Sequence, residues 1–279
     1  MIALVRTEMV KAVRRMRTLV IVLGLVGLPL LIAVAIHARG DRPDGDQGEG
    51  LFRLAHQSGL LVPAAVLSVM SGFLLVVVAG MFAGDSVAGD AATGNLRYLL
   101  MRPVPRGRLL VAKALVAAVL IWACTVLVTL AALLAGISFF GAHALNVSGF
   151  DLSVGSFAGI HLSQATLLVR LALATAYVAF GFTALLAIGT MFSTLTDSAA
   201  GAIGGTIGVY IVSEILDGIS QLGVLRYGFP THYLNAWETM FTQDHYSRDM
   251  LTGVVVQLVY FAVFGAIAIG WFRRKDIRS

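Results

Sequence analysis

Six stretches of this chain are apolar for long enough to cross a bilayer, with any charge kept near one end: residues 19–36, 60–83, 109–140, 165–192, 198–216 and 250–272. In hydrocarbon the backbone must satisfy its own hydrogen bonds, so spans of this length are helices, and the expected fold is an all-α polytopic membrane protein with six transmembrane helices in a single membrane domain. Pro29 falls inside the first run and reads as a kink, because a helix in lipid has no other way to bond its backbone. With 58% hydrophobic and 13% charged residues, the chain suits lipid as its main solvent. A formal charge of +5 would invite nucleic acid in a soluble protein, but here the cations flank spans and set topology instead. Cys124 is the only cysteine, which rules out an intramolecular disulfide and a cysteine-based zinc site.

Residues 1–17 read as an amphipathic interface helix. Ile2, Val5, Met9, Val13 and Met16 share one face, with Thr7, Glu8, Lys11, Arg14 and Arg15 opposite. Ala33-Val34-Ala35 imitates a leader cleavage site, but the run is long for a leader and five more follow. Of the 20 lysines and arginines, fourteen lie in the N-terminal tail, the interval 85–113 and the C-terminus. The excess predicts a multi-pass protein of the cell membrane with both termini and that interval in the cytoplasm.

The interval 85–113 is the one chemically busy stretch. Asn95 is a favoured N-cap, after which Leu96, Leu99 and Leu100 share one side of a short helix while Arg97 and Arg102 fall elsewhere. Pro103 ends that helix at Arg102, and Pro105 suits the first turn of the next. The pattern Asp90-x-x-x-Gly94-Asn95-Leu96-x-x-Leu99-Leu100-x-x-Pro103-Val104-x-Arg106, with Lys113 beyond it, resembles the Glu-x-x-x-Gly-Thr-Leu-x-x-Leu-Leu-x-x-Pro-[Val/Ile]-Ser-Arg stretch of ABC transporter type-2 permeases. It departs at Asp90, Asn95 and Pro105. The first two keep a carboxylate and a capping acceptor, and Pro105 changes how the third span begins. The resemblance extends over nearly the whole chain. It implies that residues 85–108 form a coupling loop whose helix docks on an ATPase through Asp90, Gly94, Asn95, Leu96, Leu99, Leu100, Arg102, Pro103 and Arg106. It also implies that the interface helix, with Glu8, lies close to that ATPase.

Energy sources can be checked one by one. No Gly-x-x-x-x-Gly-Lys-[Ser/Thr] surrounds Lys11, Lys113 or Lys275, so the chain is not expected to hydrolyse ATP or act as an enzyme by itself. The runs carry no ionisable residue near their centres, which disfavours an ion relay. The six histidines fall in outer loops without metal-ligand spacing, so no metal site is expected. Gly201, Gly204, Gly205 and Gly208 place interlocked small-x-x-x-small pairs on the fifth span, where a backbone from this chain or from a second protomer should approach closely. After Pro230, the residues Tyr233, Trp237 and Phe241 recur every four positions, as on one helix face at headgroup level. An aromatic belt explains them; the resemblance implies instead a short outer helix that helps close an exit.

The resemblance thus implies a permease subunit that dimerises with an identical or different partner and works with an ATP-binding-cassette ATPase. It binds no cofactor itself, ATP and magnesium residing on that partner. By family analogy it exports a hydrophobic or amphipathic substrate such as a drug, antibiotic, peptide or lipid. The rival readings are a non-transporting module that passes ATPase work to an outer partner, and an ion-coupled carrier.

Overall fold

The computed structural model describes residues 1–39, 58–94, 105–142, 145–146, 161–242 and 248–275. Helix α1 (Ile2–Val13) precedes the first span, α2 (Met16–Arg39). Ile2, Val10 and Val13 of α1 are exposed, together with Arg6 and Thr7, so the helix presents apolar and polar side chains outward as an interface helix can. A 3-10 turn, Gly59–Leu61, then leads into α3 (Val62–Gly72) and α4 (Leu74–Ala92), with α5 (Arg106–Phe140) beyond. After a two-residue antiparallel ladder, Leu145 opposite Leu162, come α6 (Gln164–Gly181), α7 (Thr183–Leu195) and α8 (Ala199–Asp217). The 3-10 segments Ser220–Gly228 and Ala236–Glu238 lead through α9 (Thr239–Thr242) to α10 (Arg248–Arg274). Among the described residues, six helices are long and apolar enough to cross a membrane: Met16–Ala38, Leu74–Ala92, Arg106–Phe140, Gln164–Leu195, Ala199–Asp217 and Arg248–Arg274. The all-helical, six-span fold class is the one expected.

Two spans are broken, each for a visible reason. Phe73, at φ −140° and ψ −63°, separates α3 from α4. Just before it, Ser68 Oγ donates to the Ala65 carbonyl and Ser71 Oγ to the Ser68 carbonyl, which loosens the helical ladder next to Gly72. The fourth span breaks at Phe182. There Gln257 of α10, itself buried, accepts from the Ala184 N–H at 3.2 Å and donates to the Pro230 carbonyl at 2.8 Å. One amide thus bridges the opened ladder and the segment before the last span. Gln257→Leu would strand both groups, and a stability loss of about 1–3 kcal/mol is expected. Thermal unfolding of the detergent-solubilised protein checks this; an unchanged midpoint would show that the amide bridge is dispensable.

The second span also runs further than expected. The helix continues past residue 83 to Ala92, so Asp85 and Asp90 stand on a helix and not in a loop. Helix α5 starts at Arg106, which places Lys113 about two turns inside it. The charges are tolerated there because they neutralise one another, as described below.

Close packing of α8 does not use its glycine stripe. A Cβ on Gly84 would come within 2.8–3.0 Å of the Ala202 and Ile203 backbone, and one on Gly189 within 2.6 Å of Ala83 Cβ, so α4, α7 and α8 meet through those two glycines. Gly204 and Gly208 have no neighbour within 4 Å of such a Cβ, Gly205 faces the Phe192 ring at 3.6 Å, and Gly201 faces its own N-cap Ser198. Among the described residues, no backbone approaches that stripe.

The aromatic residues before the last span are not a headgroup belt. Tyr233 lies in a turn, Trp237 in a 3-10 segment and Phe241 in α9, so they do not share the face of one helix. All three are buried, Trp237 completely, and Trp237 meets Phe241 edge-on at 6.0 Å. Tyr177 Oη donates to the Tyr233 carbonyl at 2.8 Å, Arg170 donates to the Met240 carbonyl, and Ser213 pairs with Thr231 at 2.8 Å. The segment plugs the bundle at the end opposite the termini.

Candidate functional site

The two carboxylates of α4 are the centre of a charged knot at the end of the bundle that carries both termini. Asp90 is 1% exposed and pairs with Lys113 of α5 and Lys11 of α1, with Arg15 Nη2 at 3.7 Å. Lys113, 4% exposed, also donates to Glu8 Oε2 at 2.9 Å. Asp85 receives Arg15 Nη1 at 2.5 Å and also pairs with Arg17. The interface helix therefore turns Glu8 and Lys11 inward and clamps α4 to α5. Such a knot holds only while every charge keeps its partner, since a lone charge at this depth would carry its full desolvation cost. Beside it lies a small cavity of about 50 Å³ between the charged groups and Met81, Phe82, Val116 and Leu120.

On its other side, α4 is held by a hydroxyl. Ser193 Oγ, fully buried at the end of α7, accepts from the Val87 and Ala88 N–H groups at 2.9 and 2.8 Å. One turn after Asp90, Gly94 takes φ +71° and its N–H returns to the Ala91 carbonyl, closing the helix with a left-handed cap. The chain thus enters residues 95–104 from a helix end fixed on two sides. Across the gap, Arg106 Nη1 donates to the Lys275 carbonyl at 2.7 Å, while Lys275 Nζ reaches the Thr194 carbonyl at 3.0 Å and Asp197 Oδ1 at 2.7 Å. Both borders of the interval are therefore tied into the body of the bundle.

Of the residues singled out in the sequence, Glu8 and Asp90 are brought together through Lys113. Their carboxylates face inward, so their contribution is to hold α1, α4 and α5 in place. Gly94 is the cap, and Arg106 holds the C-terminal strand of contacts. Asn95, Leu96, Leu99, Leu100, Arg102 and Pro103 lie outside the described residues. Lys11, Arg15, Arg17, Asp85 and Ser193 were not singled out. The available signal was a pair of aspartates five residues apart on an otherwise apolar stretch, which in a membrane protein demands cationic partners. Among the described residues, no group of three His, Cys, Asp or Glu side chains could hold a metal ion.

The family described as "ABC-2 family transporter protein" matches residues 2–277. No curated protein matches the chain significantly. Members of this family work in general with an ATP-binding-cassette partner. The match extends from the first residue of α1 to beyond the end of α10 and takes in the knot, the six spans and the plug: this polytopic membrane protein belongs to the ABC-2 transporter family.

Proposed function

We propose that the chain is the membrane-spanning permease subunit of an ATP-driven exporter and that residues 95–104 take the push of a separate ATPase. The observation that carries this reading is the fixing of Asp90 at the end of α4: through Lys113 and Lys11 it joins the entry of that interval to α5 and to the interface helix. Force applied to the interval would reach two spans and α1 together instead of being lost in a slack connector. ATP and magnesium would reside on the ATPase, with two permease subunits sharing the central path. The apolar bundle suits a hydrophobic or amphipathic cargo. The plug around Trp237 and Phe241, held by Gln257 and Arg170, would close the path at the far end.

This function requires the interval to face the cytoplasm. In a Cys124→Ser background, Arg97→Cys should stay unlabelled by an impermeant thiol reagent in intact cells, while Asp44→Cys should label. The opposite pattern would place the ATPase site on the wrong side. Coexpression with a candidate ATPase then tests partnership, with ATP-dependent flux of a lipophilic cargo expected only when both subunits are present.

A further inference from the structure

A second cationic site lies near the knot but is built differently. A recess of about 460 Å³ between the start of α5 and the end of α10 is lined by Arg106, Arg108 and Arg273, the Met1 terminus, and the apolar side chains Val111 and Ile269. Among the described residues no carboxylate lines it, and none of the three arginines forms an ion pair. Every base of the knot, by contrast, has an acid. Pro105 gives α5 no side-chain cap and the first turn holds no acidic residue, so the positive end of a 35-residue helix adds to the same field. Gly107 leaves room beside Arg273, whose guanidinium would lie 3.5 Å from a Cβ there.

We propose that this recess binds an anionic phospholipid, its phosphate among Arg106, Arg108 and Arg273 and an acyl chain along α5. The volume suits a headgroup. What selects a lipid over a soluble anion or an acidic protein surface is the wall that leads out of it. Val111, which lines the recess, is followed by Leu115 and Val119, exposed at four-residue spacing, and the three continue up the flank of α5. The cations therefore sit where an apolar track meets the headgroup layer, an arrangement in which basic pockets between transmembrane helices hold lipid headgroups. The site stands independently of the ATPase partnership proposed above.

The test uses the purified full chain in detergent, with native mass spectrometry during titration of phosphatidylglycerol and of phosphatidylcholine. The wild type should prefer phosphatidylglycerol. Arg108→Gln with Arg273→Gln should weaken that lipid about thirtyfold, each arginine near the headgroup contributing about fivefold, and leave phosphatidylcholine unchanged. Arg14→Gln, an exposed cation outside the recess, should change neither. Equal affinity of the wild type for both lipids would overturn the proposal without recourse to any variant. So would a loss in Arg14→Gln as large as in the recess variant, which would reduce the effect to overall surface charge. Complete displacement of the lipid by millimolar inorganic phosphate would assign a free-anion site in its place.

Discussion

Lys113→Met is expected to destabilise the protein by about 3–5 kcal/mol, the cost of removing one partner from a buried ionic cluster. Lys113 is 4% exposed and is the one cation placed between Glu8 and Asp90. Without it Glu8 keeps no partner in the knot, whereas Asp90 retains Lys11. The damage should therefore fall mainly on the attachment of α1. Glu8→Gln should cost less, because Lys113 still has Asp90 to neutralise it. Combining Glu8→Met with Lys113→Met removes the stranded carboxylate, so the double variant should be more stable than Lys113→Met alone, with a coupling of about 0.5–3 kcal/mol. Thermal unfolding in detergent, with limited proteolysis of the N-terminal segment, gives both readouts. Strict additivity of the two substitutions would mean that Glu8 and Lys113 do not sense each other.

The spans were legible because lipid leaves little choice: about twenty apolar residues must form a helix, and composition shows where. What composition hid was that charged residues can belong to those helices. Asp85 and Asp90 resemble the start of a polar loop, and only partners 23 to 79 residues away, Lys113, Arg17, Arg15 and Lys11, allow α4 to continue through them. Those same cations resemble ordinary positive-inside flanks, so the charge count that suggested an orientation also concealed the knot. The repeat of Tyr233, Trp237 and Phe241 suggested one helix, whereas the chain there is a turn, a 3-10 segment and a short helix that bury the rings by changing direction between them. Gln257 is a polar residue within an apolar run, and Ser193 is one of several hydroxyl residues at the end of another. Nothing in their neighbours announces that one bridges the break at Phe182 and the other binds the α4 backbone.

Leu99→Asp should uncouple the permease from its ATPase while leaving the membrane bundle intact. The proposed helix after Asn95 presents Leu96, Leu99 and Leu100 on one side, and the spans make no demand on an apolar face there. On a solvated connector, an aspartate at Leu99 would cost no more than about 0.5 kcal/mol. Seated in a groove of the ATPase, the same carboxylate would be buried without a partner. At the centre of an interface that amounts to at least about 2 kcal/mol, or a weakening of roughly thirtyfold. The consequence should extend beyond binding, because the interval leaves α4 one turn after the Asp90–Lys113 pair and so addresses α1, α4 and α5 together. Lys113→Met gives the complementary loss, a weakened bundle that can still bind the ATPase. The two variants separate docking from transmission.

The most direct measurement is made on Leu99→Asp coexpressed with the candidate ATPase, after membrane insertion has been shown to match the wild type. Copurified ATPase and cargo-stimulated ATP hydrolysis are then quantified on the same preparation. The expected result is loss of both in a correctly inserted protein. Wild-type amounts of bound ATPase together with wild-type stimulation would contradict the coupling role of residues 95–104 and, with it, the proposed route from ATP hydrolysis to the membrane spans.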